Sequence, residues 1–559
     1  MDLYLGAHAV DTEQMRADTF VREFDFIIVG AGSAGCVLAN RLTANGKHSV
    51  LLLEAGGSDK QFWLKVPIGY GMSFYKPSVN WMYRTEPEQA LANRAGYWPR
   101  GKVLGGSSSI NAMVFVRGQP SDFDDWAALG NPGWGWDEVL PYFKKMETSE
   151  RASADYRGTQ GPLHVSDVSD QVHPTCQIFL QAGVQAGLKI NPDINGASNE
   201  GVTINQITTR AGMRESASTA YLAPAKKRSN LTVETHAHAT KLLFEGKRAV
   251  GVQYRQKDRN ITCRARREVI LAAGAINTPQ LLQLSGVGPA AALQALNIPL
   301  VLDSPAVGQH LQDHLCIDYL YRSRVPTLND QLGSWSGRLL AGFKYLTTRK
   351  GPLALSINQG GGFCRSYDQA IAPDLQLYFS PLSYVRASPG KRALMAPDKF
   401  SGFALSAQPC RPESRGSLYL RSNDPFVAPK IVPNSLATQN DLNAMLRAAR
   451  WVRKLSSTPA FKAIITEEIS PGSLVQTDEQ LMQDIAARAS TVFHPVSTCR
   501  MGADPTRAVV DSELRVHGLQ GLRIIDASVF PTLTSGNTNA PTIMLAEKAA
   551  DLVLAANAG

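Results

Sequence analysis

The segment from Phe24 to Glu54 constrains the fold of this chain more than any other. Phe24–Val29 (FDFIIV), apolar but for Asp25, is a run of strand length that enters directly a glycine-rich turn, Gly30-Ala31-Gly32-Ser33-Ala34-Gly35. Apolar residues at successive positions mark a strand covered on both faces, as in a parallel sheet between helices. Cys36, Val37, Leu38, Ala39 and Leu42 follow at helical spacing, and Asn45 with Gly46 stop the helix. Ser49–Leu53 is a second strand, ending at Glu54 and Ala55. Gly30 permits the tight turn, Gly32 admits a pyrophosphate to the backbone, and Gly35 lets the helix pack on the strand. The free N–H groups of the first helical turn, at Ser33 and Ala34, face the phosphates. Glu54 is placed to accept hydrogen bonds from the ribose hydroxyls of an adenosine. A glycine-rich turn without a ligand is the alternative reading. The order of strand, glycines, helix, strand and acid argues against it, but leaves NAD and FAD undistinguished, because both carry ADP.

A chain of 559 residues exceeds what one core accommodates, so two domains are expected, interleaved because the motifs are scattered. No run of eighteen apolar residues is present, and no transmembrane segment is expected. Met1–Arg22 lacks the basic start and apolar stretch of a secretory signal, which makes a cytoplasmic location the default, with peripheral membrane association left open. The seven cysteines stand singly, without a CxxC pair, which favours reduced thiols and offers no metal site. The net charge of +9 and the basic residues from Arg255 to Arg267 admit a nucleic-acid patch. The better reading is a solvated surface ribbon, since these cations flank Ile261 and Cys263 just before an apolar strand. No nucleic-acid partner is expected.

Four further segments bear on the cofactor: GKVLGGSSSIN (Gly101–Asn111) followed by AMVFVRG, GAINTPQLLQLSG (Gly274–Gly286), FHPVSTCRMG (Phe493–Gly502), and the stretch Ile524–Asp551. In this order, and from Phe24 onward, the chain resembles the glucose-methanol-choline (GMC) oxidoreductases, in their choline dehydrogenase-like and alcohol dehydrogenase branch. The resemblance implies an α/β (α+β) fold, with an FAD-binding Rossmann-like βαβ domain interleaved with a substrate-binding domain on an antiparallel sheet. The corresponding division is an extension over 1–23, an FAD-binding domain over 24–150, 220–311 and 482–559, and a substrate domain over 151–219 and 312–481. The cofactor implied is FAD. Contacts to it fall, by the same resemblance, on Val103, Gly105, Ser109 and Asn111, the backbone of Ala112, Met113 and Val114, and Ala239, Asp526, Ala527, Thr538 and Asn539. The small residues Gly105–Ser109 suit a loop whose backbone approaches a flat or anionic ligand, and the apolar, β-rich residues Ile110–Val116 anchor its far end. Relatives that attach FAD covalently use a histidine four residues before the position of Lys102. Trp98 stands there, so non-covalent FAD is expected.

An alcohol gives up hydride only as its hydroxyl proton leaves, so a base must sit beside the oxygen. His494 occupies the family's catalytic histidine position, and its side chain titrates nearest working pH. Asn537 matches the family's second position and offers either end of its amide to the substrate oxygen. Ser497, where many relatives have glycine, asks only for an ordinary backbone conformation. His310 and His314 read as structural. Strands at Asp374–Ser380 and Gly416–Ser422 suit a sheet with one covered face. Trp81, Phe363, Tyr378, Phe379, Tyr384 and Phe493 are candidate pocket aromatics. Choline-oxidising relatives carry a glutamate where this chain has Cys316, and burying a quaternary cation without a counter-charge is costly. The expected substrate is therefore an uncharged primary alcohol, aliphatic or aromatic. A quinone or carrier protein is favoured over oxygen as electron acceptor. The alternatives are an alcohol oxidase producing hydrogen peroxide and an FAD-containing hydroxynitrile lyase.

Overall fold

The computed structural model describes residues 22–558 except 152, 154 and 387–394. The extension expected over 1–23 lies outside these residues but for its last two, which open the first strand.

Two sheets organise the chain. The first contains β1 (Arg22–Val29), β2 (Val50–Leu53), β3 (Leu231–Glu234), β4 (His238–Glu245), β5 (Arg248–Gln256) and β6 (Arg259–Leu271), in the order β3-β2-β1-β6-β5-β4. The pairs β3/β2, β2/β1 and β1/β6 are parallel, and the short strand Leu522–Ile524 adds in parallel to the far end of β6. Residues Phe26–Val29 and Val50–Leu53 are buried throughout, as parallel strands between helical layers must be. Helix α1 (Ser33–Leu42) follows the glycine turn. Gly30 has φ +101° and Gly35 lies so near the preceding strand that a Cβ on it would come within 1.9 Å of the Gly30 carbonyl oxygen. Both glycines are thus demanded by the fold itself.

The basic run sits on the antiparallel pair β5/β6. Arg255 pairs with Asp258, Arg264 with Glu245, and Arg266 with Glu23 and Asp25. These three cations are answered by carboxylates of the β5–β6 turn and of the neighbouring strands β4 and β1.

The second sheet contains β7 (Leu315–Ser323), β8 (Gly360–Cys364), β9 (Leu375–Ser380), β10 (Gly402–Pro409) and β11 (Ile465–Ser470), in the antiparallel order β8-β9-β10-β7-β11. Every residue of β9 is buried, so the expectation of one covered face is corrected. On one side Phe379 stacks on Phe179 with ring centroids 5.3 Å apart; on the other, Tyr378 and Ser380 face a cavity. The strand in Gly416–Ser422 is shorter than expected and stands apart, as Ser417–Tyr419 paired only with Lys430–Val432. Residues Ile110–Val116 form no ladder: Val114 makes one isolated bridge to Ile207, and Met113 adopts φ +65°.

Four helices matter below: α2 (Gly274–Leu284), α3 (Trp335–Thr348), α4 (Gln439–Ser456) and α5 (Asn539–Ala556). One hydrophobic core joins the first sheet to residues of α1 and α5. A second joins the antiparallel sheet to α4 through Met445, Ala448, Ala449, Val452 and Leu455. No helix among the described residues is long and apolar enough to cross a membrane.

Candidate active site

A single cavity of about 1130 Å³ runs from the C-terminal ends of β1 and β2 to the antiparallel sheet. Ligands of open α/β sheets bind beyond the carboxyl ends of the strands. At one end lie Gly30, Gly32, Ser33, Ala34, Glu54 and Ala55. Glu54 is clamped by the glycine turn, accepting hydrogen bonds from the Ala31 N–H at 3.0 Å and the Gly56 N–H at 2.8 Å. Burial raises its carboxyl to about 7.

Three helices present their N-termini to this cavity: α1 at Ser33, α2 at Gly274 and α5 at Asn539. Their free N–H groups and aligned dipoles favour an anion there. The ends are tied together. The Ser33 hydroxyl donates to Asn539 Oδ1 at 2.7 Å. Asp526 accepts from the Gly274 N–H at 2.9 Å, the Thr278 hydroxyl at 2.6 Å and the Ser528 N–H at 2.8 Å. Asp526 thus braces α2 with its side chain, and its buried carboxyl is shifted upward.

Gly32 tests whether the site fits a dinucleotide. Its φ of −77° suits any residue, and an added Cβ would come no nearer than 3.9 Å to protein, at the Ala272 oxygen. Neither backbone nor packing excludes a side chain at Gly32; a diphosphate bound against the backbone would.

Most of the residues assigned to the cofactor line the cavity, namely Gly30, Gly32, Ser33, Ala34, Glu54, Ala55, Asn111, Ala112, Met113, Val114, Ala239, Asp526, Ala527, Thr538 and Asn539. Gly35, Val103, Gly105 and Ser109 stand behind its wall. Gly105 donates its N–H to the Ala31 carbonyl at 2.7 Å and the Ser109 hydroxyl donates to the Leu104 carbonyl at 2.7 Å. A tight turn over Gly106–Ser109 directs these two inward, so Gly106 and Ser107 supply the cavity face instead. Among the candidate aromatics, Trp81, Tyr378, Tyr384 and Phe493 line the cavity, whereas Phe363 and Phe379 are packed in cores.

At the opposite end, His494 and Asn537 meet as expected, with Asn537 Nδ2 3.2 Å from His494 Nε2. His314, read from sequence as structural, is the other partner of His494: their Nδ1 atoms lie 3.0 Å apart. His314 Nε2 lies 2.9 Å from the Cys410 carbonyl, which only accepts. His314 therefore carries its proton on Nε2. Burial lowers His314 to about 4 and lowers His494 strongly, the latter with added repulsion from His314 and Arg100. Both rings are neutral, so His314 Nδ1 is bare, His494 Nδ1 carries the proton, and His494 Nε2 presents a lone pair to the cavity.

The opposite flank agrees. Tyr378 O–H donates to Gln408 Oε1 at 3.3 Å, Gln408 Nε2 to Gln376 Oε1 at 3.0 Å, and Gln376 Nε2 to Asn537 Oδ1 at 3.3 Å. The carbonyl end of Asn537 is thus engaged by protein, and its N–H end alone faces His494. The expectation that either end is available is corrected accordingly.

Two further residues at this end gave no sequence signal. Arg100 is half-buried, is lowered by desolvation to about 10, and donates to the Phe493 carbonyl at 2.6 Å. Asp313 accepts from the His494 N–H at 2.7 Å and from the Thr491 hydroxyl, and burial raises it to about 7. Ser497 does not have ordinary backbone geometry: its φ is +72°. It is held there by its N–H bond to the Ala527 carbonyl at 3.2 Å and by Gln312 Nε2 donating to its hydroxyl at 3.0 Å. His310 does not line the cavity.

The fold and the site define a dinucleotide-dependent oxidoreductase with a histidine and an amide at its reactive end. Residues 24–316 and 412–546 match the two sequence profiles of the GMC oxidoreductases. The chain is 44% identical over 535 residues to the alcohol dehydrogenase [acceptor] of Pseudomonas putida, covering 95% of this chain and 96% of that protein. It is 42% identical over 536 residues to an oxygen-dependent choline dehydrogenase of Vibrio vulnificus, covering 95% and 94%. Among solved structures, pyridoxine 4-oxidase from Mesorbium loti aligns with TM-score 0.84 and 31% identity, over 94% of this chain and 98% of that one. A formate oxidase variant of Aspergillus oryzae aligns with TM-score 0.89 and 27% identity, over 97% and 99%. The chain belongs to the GMC oxidoreductase family. It is an FAD-dependent enzyme acting on CH–OH groups.

The two glycines of the turn separate fold from cofactor. Gly32→Ala is expected to leave the melting temperature of the FAD-free protein unchanged while lowering FAD content by at least roughly tenfold, because its methyl group meets only the ligand. Gly35→Ala is expected to destabilise the FAD-free protein itself by about 1–3 kcal/mol or more, because its methyl group meets backbone. Thermal melts and the flavin-to-protein absorbance ratio check both.

Proposed function

We propose that this enzyme oxidises an uncharged primary alcohol, aliphatic or aromatic, to the aldehyde, with His494 as base and Asn537 orienting the hydroxyl. The observation that carries this reading is the one-way hydrogen-bond chain through the two residues. Every donor in it points the same way, from Tyr378 to the Cys410 carbonyl. An alcohol oxygen that displaces the direct Asn537–His494 hydrogen bond accepts from Asn537 Nδ2 and donates its O–H to the lone pair on His494 Nε2. His494 is neutral and ready to take that proton, since burial and the Arg100 cation disfavour its charged form. The proton that arrives on Nε2 leaves Nδ1–H on His314, so the ring does not turn as its charge changes. FAD supplies the hydride acceptor, held by the three helix ends, Glu54 and the Gly106–Ser107 loop. Its attachment is non-covalent in this reading, because Trp98 stands where a linking histidine would be.

An uncharged substrate suits the side chains beyond His494, where Cys316, Leu320, Ile357, Tyr378 and Ala404 line the cavity. One observation favours a second reading: Asp318 lines the same cavity two residues beyond Cys316, where it offers a carboxylate to a cationic alcohol such as choline. As electron acceptor we favour a quinone or a carrier protein over oxygen; the relative from P. putida is named for an unspecified acceptor and that from V. vulnificus for oxygen.

Anaerobic mixing of the holoenzyme with a panel of alcohols tests the proposal. Primary alkanols and benzylic alcohols are expected to bleach the flavin, and choline to do so poorly. A flavin that no alcohol bleaches, in an enzyme that cleaves a cyanohydrin, would establish the lyase. Peroxide formed under air at the rate of dye reduction would establish the oxidase.

His314 acts in this scheme as a positioning residue. His314→Leu removes the acceptor for His494 Nδ1–H and is expected to slow flavin reduction roughly 10- to 100-fold, the scale for losing the group that orients a functional imidazole. His314→Gln, whose amide can accept from His494 and donate to Cys410, is expected to restore most of that rate. Equal rates in both variants would show that His314 serves packing alone.

A further inference from the structure

The outer face of α3 is built the wrong way round for a soluble helix. Trp335, Leu339, Leu340, Phe343 and Leu346 fall on one stripe at helical spacing, and each leaves 54% to 77% of its surface exposed. Such a stripe ordinarily faces a core. Here the opposite side does so, with Tyr345 packed on Val66 and Ala354. The segment bearing Val66 adds exposed apolar surface of its own, at Phe62, Trp63 and Met72. Contiguous apolar surface on this scale marks a contact site.

The charge of this surface selects its partner. Residues 60–76 contain Lys60, Lys65 and Lys76 and residues 331–353 contain Arg338, Lys344, Arg349 and Lys350, with no acidic residue in either segment; Asp59 and Asp330 stand just before them, and Asp59 pairs with Lys65 at 2.6 Å, which leaves six cations to the surface. A Trp/Leu/Phe stripe flanked by lysine and arginine is the pattern of a helix lying in a membrane interface. A second copy of the chain fits poorly, because a two-fold contact sets these six cations against six more. The surface also adjoins the cavity: Tyr70, Phe74 and Tyr75, from the same segment as Phe62 and Trp63, line it.

We propose that α3 and residues 60–76 form a docking surface for an anionic lipid bilayer, with α3 lying flat in the interface and the cavity opening beside it. The attachment is peripheral.

Flotation of the holoenzyme with vesicles tests this, using phosphatidylcholine alone and phosphatidylcholine with about 30% phosphatidylglycerol. The enzyme is expected to float with the anionic vesicles, much less with the neutral ones, and less as salt is raised. Leu340→Ser/Phe343→Ser is expected to reduce the bound fraction roughly tenfold or more, with flavin content and dye-linked turnover of a water-soluble alcohol unchanged. Lys344→Glu/Arg349→Glu keeps the apolar stripe and is expected to weaken binding to anionic vesicles alone. Three results would overturn the proposal: a holoenzyme that does not float, variants that float as well as the parent, or a dimer in sedimentation that Leu340→Ser/Phe343→Ser splits.

Discussion

The reactive end depends on a hydrogen bond that allows only one direction. A backbone carbonyl cannot donate, so Cys410 fixes the proton of His314, His314 fixes that of His494, and His494 turns its lone pair toward the cavity. On the other flank, Tyr378, Gln408 and Gln376 fix the amide of Asn537 with its N–H outward. The two flanks arrive independently at compatible polarities. Buried polar networks favour a unique arrangement only when every member is satisfied, and this one is satisfied from end to end. It also ties the two sheets together. Gln376, Tyr378 and Gln408 come from the antiparallel sheet, while His494 and Asn537 come from the segment that returns to the cofactor-binding sheet.

What was legible in the sequence is what is local. The strand, glycines, helix, strand and acid from Phe24 to Glu54 lie within one βαβ unit, where backbone geometry and helix ends dictate residue type directly. The antiparallel sheet was legible as strands but not in its faces, because β9 is buried by packing on one side and by the cavity wall on the other. Asn537 and His494 are 43 residues apart and His314 and His494 are 180 apart. Their alignment with a family pattern located His494 and Asn537, but no spacing rule links His314 to them. Gly105 and Gly106 illustrate a finer limit. Both are glycines in one loop, and a tight turn decides which faces the ligand. Ser497 was misread because its left-handed backbone is imposed by Ala527 and Gln312, which no local pattern reveals.

The bilayer proposal and the chemistry meet at residues 60–76. One side of this segment carries exposed Phe62 and Trp63, and the other carries cavity-lining Tyr70, Phe74 and Tyr75. An enzyme resting on a membrane by this face holds its cavity beside the phase in which apolar alcohols and quinones concentrate. Under that proposal the same surface would serve both substrate entry and electron exit.

In the proposed chemistry the lone pair on His494 Nε2 removes the hydroxyl proton. Its most direct test is the anaerobic rate of flavin reduction by a primary alcohol in His494→Gln, which preserves size and hydrogen bonding without the base. The variant is expected to keep its FAD and its melting temperature while the rate falls by about 10²- to 10⁴-fold, the usual contribution of a positioned general base. A rate within roughly threefold of the parent would contradict it.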